Sequence, residues 1–113
     1  MGVYIVIKRS EFYVYVDVVQ GIFTDLSLVK DLDGETHFID FDVDPAIGYV
    51  YLVFSETAFA GILIHEPFVI SQDKDKIEKE ISEIAKRETQ NCYFQSDWYY
   101  VCVPLNKIGA YYL

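Results

Sequence analysis

Residues 73–88 carry Ile77, Ile81, Ile84 and Ala85 at i, i+4, i+7 and i+8, one apolar stripe on an otherwise charged segment. That spacing predicts an amphipathic helix, and a lone helix with one apolar face has to cover something flat. Ser71 or Asp73 is placed to cap its start, Asp75 stands near the positive end of the dipole, and Lys86 and Arg87 stand near the negative end. Asp75–Lys79 and Glu83–Arg87 have the favoured i, i+4 order. Most of the remaining chain is rich in Val, Ile, Tyr and Phe, the residues that fit a pleated surface. The expectation is therefore an α+β fold, with a mainly antiparallel sheet of five to seven strands and the 73–88 helix on one face. At 113 residues the chain has room for a single domain spanning 1–113.

The strands are punctuated unevenly. Residues 3–8 and 11–20 read as a hairpin broken at Arg9-Ser10, with one long bent strand as the alternative. In the second run Phe12, Val14, Val16 and Val18 share one face, while Tyr13, Tyr15 and Asp17 share a half-solvated one. Residues 22–32 fit either a short helix capped by Thr24 or a strand; Asp33-Gly34 favours a strand closing a hairpin onto 35–43. Strands are expected over 35–43, 49–54 and 57–65, with stops at Asp44-Pro45 and Ser55-Glu56, and again over 97–103, while 108–113 reads as a short terminal strand or a packed tail.

Charge narrows the function classes. Eighteen acids against nine bases give a net charge of −9 and a pI near 4.4. Direct nucleic-acid binding needs clustered Lys and Arg, and anionic membrane surfaces repel such a chain. No apolar run approaches the roughly 20 residues that span a bilayer. The Val3–Ile7 run ahead of Lys8 and Arg9 reads as a strand rather than a secretion signal, so a cytoplasmic location is expected. Cys92 and Cys102, with His37 and His65, do not have the spacing of a zinc site. No metal or other cofactor is expected. Cys102, in an apolar strand pattern, is expected to be a buried thiol, and a Cys92–Cys102 disulfide would require an oxidising compartment.

The charge is also concentrated. Residues 17–44 hold eight acids against Lys30 alone. Asp40, Asp42 and Asp44 alternate with Phe41 and Val43, which on a strand would put three carboxylates on one face roughly 7 Å apart. His37, Ile39, Phe41 and Val43 would then face the core. Such a face can be plain solvated surface that guards an outer strand, a docking surface for a basic protein, or a divalent-cation site. Tyrosine is abundant, with ten residues, and suits recognition surfaces because it combines apolar area with a polar tip. It also suits any sheet-rich fold as a strand former.

There is no Gly-rich phosphate loop and no nucleophile elbow. The sequence is read as a small acidic binding protein, an inhibitor or antagonist of a basic, nucleic-acid-handling protein. Its expected contact residues are Asp31, Asp33, Glu35, Asp40, Asp42, Asp44, Tyr13 and Tyr15. The alternatives are a small enzyme or ligand-binding protein with an inter-subunit pocket using His37, His65 and Glu66, and an assembly subunit. A homodimer through an edge strand is compatible with each.

Overall fold

The computed structural model describes residues 2–11, 15–30, 32–57, 61–64, 68–89, 97–109 and 111–112. The described chain is α+β, with one helix and a predominantly antiparallel strand arrangement. The strands are β1 (Gly2–Glu11), β2 (Tyr15–Phe23), β3 (Glu35–Asp40), β4 (Tyr49–Thr57), β5 (Gly61–Ile64), β6 (Ile70–Ser71), β7 (Asp97–Pro104) and β8 (Tyr111–Tyr112), and the helix is α1 (Lys74–Thr89). A 3-10 helix spans Leu26–Val29.

The expected single sheet of five to seven strands is not confirmed in that form. Two antiparallel ladders of three main strands each are present: β3-β1-β2, extended by β8 along β2, and β5-β4-β7, extended by β6 along β4. They join where β2 pairs with β5 in parallel at Val16 and Ile62. A second tie links Ile22 with Leu105, next to β7.

Strand alternation explains the core. From β1, Val3, Ile5 and Ile7 enter a central cluster with Val19, Ile22, Val50, Leu52, Ile64 and Val103, which draws on both ladders. The even positions Tyr4 and Val6 turn the other way and pack with Phe23, Val29 and Leu32 beneath the 3-10 helix. β4 is likewise covered on both sides, because Val53 and Tyr51 meet Ile77, Ile81 and Ile84 of α1 with Trp98 and Tyr100. A strand in this position reads as a nearly continuous apolar run, as Tyr49–Phe54 does.

Helix α1 follows its periodicity: Ile77 and Ile84 are buried and Ile81 is partly so. Asp73 Oδ1 accepts from the Asp75 and Lys76 amides, while Ser71 Oγ accepts from Asp73 N, so both candidate caps are used.

Several boundaries differ from expectation. Arg9-Ser10 is no break, since β1 stays paired with β2 through Glu11 opposite Tyr15. Ser55-Glu56 is no turn either, because both residues pair with β5 and with β7. The expected strand over 22–32 is not formed beyond Phe23 among the described residues. β2 ends at Phe23, and a 3-10 helix follows whose cap is Asp25 rather than Thr24, with Asp25 Oδ1 accepting from Ser27 N at 3.0 Å. Asp33-Gly34 does turn the chain, with Gly34 at φ +135°, but it delivers β3 onto β1. Asp17, expected to be half-solvated, is 1% exposed.

Candidate protein-binding surface

β3 is an edge strand. It pairs with β1 from Gly2–Asp40 to Ile7–Glu35, and no other strand among the described residues pairs with it. Alternation puts His37 and Ile39 partly inward and leaves Glu35, Thr36, Phe38 and Asp40 exposed. Phe38 is 54% exposed and lies against Tyr4, with ring centroids 5.1 Å apart.

The three alternating aspartates do not share one strand face. β1 reaches its last pair at Gly2 opposite Asp40, and the chain leaves the ladder there. Asp42 and Asp44 are exposed on the following segment. Asp44 also shapes the backbone locally, since its Oδ1 accepts from Ala46 N at 3.0 Å and closes the turn before Gly48. Gln72 clamps the same turn, with its Oε1 accepting from Asp44 N and its Nε2 donating to the carbonyls of Asp44 and Tyr49. Val43, at 5% exposure, anchors the segment to the central core.

The other expected contact residues divide. Asp33 is strongly exposed and bonds Lys8 Nζ at 2.9 Å. That hydrogen bond, reinforced by the lysine charge, holds the Asp33 carboxyl below its ordinary pKa and raises the lysine. Glu35 Oε2 lies 3.2 Å from His37 Nε2, and the His37 ring packs on Phe68 at 5.3 Å. Residues expected for protein docking and for a ligand pocket thus meet on one strand. Asp31, Tyr13, His65 and Glu66 lie outside the described residues, as does the side chain of Tyr15.

Beside the end of β3 is a cleft of about 280 Å³ lined by Asp40, Phe41, Phe68, Ile70, Lys76 and Glu80. No local pattern in the chain signals it, because it exists only where the first turns of α1 pass the 68–71 segment. Its volume lies just under the range of about 300–1,000 Å³ usual for small-molecule sites. Among the described residues no three His, Cys, Asp or Glu side chains are grouped to hold a metal ion. No helix among them is long and apolar enough to cross a membrane.

The tyrosines that stand as separate pairs in the sequence come together across β4 and β7. Tyr49, Tyr51 and Tyr100 form consecutive edge-on contacts with centroids 5.5 Å apart, and Tyr100 Oη donates to Glu78 Oε1. Desolvation, then the hydrogen bond with Tyr49, pushes the Tyr51 phenol above its ordinary value. Cys102 lies opposite Tyr51 in the ladder and is exposed, which corrects the expected buried thiol: α1 covers Trp98 and Tyr100 on this face, and Cys102 falls further along the strand. Cys92 lies outside the described residues. Comparisons with protein-family models, with curated proteins and with solved structures found no match for this chain.

Proposed function

We propose that this chain is a small acidic binding protein, an inhibitor or antagonist of a basic protein that handles nucleic acid, and that it docks through the β3 edge and the segment following it. The observation that carries this reading is the exposure of Glu35, Asp40, Asp42 and Asp44 along one continuous stretch beside an exposed Phe38. Acids on a sheet rim attract and orient a cationic partner, and a neighbouring aromatic supplies apolar contact. The partner's groove for phosphates is the complementary surface.

The test is an Asp40→Asn/Asp42→Asn/Asp44→Asn triple variant beside the wild type, in a pull-down from native extract followed by titration of the captured protein. Asparagine retains an oxygen for the Asp44 turn while removing three charges. A basic partner that binds the wild type and is weakened at least tenfold by the triple variant supports the reading. Equal binding by both proteins sinks it.

A second reading, a ligand-binding protein or small enzyme, draws on the cleft and on His37, which touches it through Phe68. A His37→Ala variant that loses binding to a small molecule retained by the triple variant would favour that reading.

A further inference from the structure

The cleft between the end of β3 and the first turns of α1 has two kinds of lining. Ile39, Phe41, Phe68 and Ile70 give it apolar surface, and all four pack against the central cluster, so this part is fixed by the core. Phe68 also meets the His37 ring, at 5.3 Å between centroids. The charged lining is mixed in sign, with Lys76 and Glu80 from α1 and Asp40 from β3.

Lys76 and Glu80 stand one helical turn apart, about 5–6 Å between Cβ atoms. Among the described residues neither has an ion-pair partner. Lys ahead of Glu at i, i+4 is also the weaker order for pairing with each other. The positive end of the helix is already occupied, because Asp73 Oδ1 accepts from the Asp75 and Lys76 amides and the Asp73 carbonyl from Ile77 N. Lys76 Nζ is therefore the cation that this cleft offers, and Glu80 its half-buried anion.

We infer that the cleft binds a small zwitterion with an apolar body, the chemistry of a free aromatic or branched-chain amino acid; this rests on the ligand-binding reading of the same cleft. The apolar body lies against Phe41 and Phe68, the carboxylate meets Lys76 Nζ, and the ammonium meets the Glu80 carboxylate. Both polar contacts are charge-assisted hydrogen bonds, which orient as well as hold. Simpler ligands are opposed by charge. A chain of net charge −9 repels a purely anionic ligand, and Lys76 repels a purely cationic one, whereas a zwitterion presents a partner to each sign. The volume of about 280 Å³ favours a compact ligand over a nucleotide.

The test is an NMR titration of the full chain with L-phenylalanine, N-acetyl-L-phenylalanine and L-phenylalaninamide, which share a ring and differ in the charge that is blocked. The wild type is expected to bind phenylalanine about tenfold more tightly than either capped compound, with the largest shifts over Phe68–Ser71 and Lys76–Glu80. Lys76→Met is expected to abolish the preference over phenylalaninamide alone, and Glu80→Gln the preference over the N-acetyl compound alone. Methionine and glutamine both suit a helix, and a loss of fold does not produce that crossed pattern. Equal affinities for the three compounds, with shifts in the cleft, overturn the zwitterion and leave the ligand-binding reading standing. Absence of cleft shifts with all three at millimolar concentration also overturns the inference, and the ligand-binding reading then stands or falls on the His37→Ala comparison.

Discussion

Asp17 shows how much a single side chain's surroundings can depend on parts of the chain far from it. Its Oδ2 accepts from the Ile64 amide at 2.9 Å, next to the Val16–Ile62 pair that joins the ladders, and it is almost fully buried. Alternation along β2 places it on a half-solvated face, and nothing local reveals that β5 closes over it. Replacing it with alanine leaves a buried N–H without this acceptor, for which about 1–3 kcal/mol of stability is expected to be lost, read by urea unfolding. Lys8 and Asp33 make a different kind of contact, exposed and electrostatic. The depressed Asp33 carboxyl contributes stability above its unfolded pKa, lost as pH falls through the folded value. The raised Lys8 contributes below its unfolded pKa, lost as pH rises through the folded value. The pair is therefore intact across neutral pH. An NMR titration is expected to show Asp33 titrating lower than in Lys8→Met, an effect reduced by added salt.

Among the elements, α1 was legible because its signal is self-contained: four apolar residues, a cap and a dipole-matched charge order all agree. Strand existence was legible for the same reason, in the β-branched and aromatic runs. Strand ends were not. Arg9-Ser10 and Ser55-Glu56 look like punctuation, yet both lie where a partner strand continues alongside, and pairing overrides composition. The reverse occurs after Asp40, where good alternation continues past the last residue described as paired with β1. Residues 22–32 failed through their turn signal: Asp33-Gly34 is a real turn that serves β1 and β3. Gly34 is the residue this connection depends on, at φ +135° with space for a Cβ only 2.7 Å from the Ile7 carbonyl oxygen. Gly34→Ala is expected to cost about 1–3 kcal/mol in thermal or urea unfolding.

Over the whole molecule, composition foretold a sheet-rich α+β chain but not its division into two ladders, since that depends on which strands meet rather than on what each contains. The acidic region was legible as charge. Its geometry was not, because Asp40 remains on the ladder while Asp44 is drawn into a turn held by Gln72. Docking of a basic protein through this region is expected to be strongly salt-dependent, as the Debye length contracts from about 10 Å at 0.1 M salt to about 3 Å at 1 M. Titrations across that range should show affinity falling steeply for the wild type and weakly for the triple asparagine variant.

The pairing of Val18 and Val19 with Tyr112 and Tyr111 sets an order of events on the ribosome. β2 is made well before the strand that lies beside it, and Asn106, which bonds Thr24 through both its amide oxygen and nitrogen, comes only shortly ahead of that strand. Once β5 has paired at Val16, the stretch of β2 from Val18 to Ile22 still lacks these partners until residues 105–112 follow. A chain stalled before Leu105 lacks every one of these closures, so it is the nascent protein, more than the finished one, that needs shielding from its neighbours.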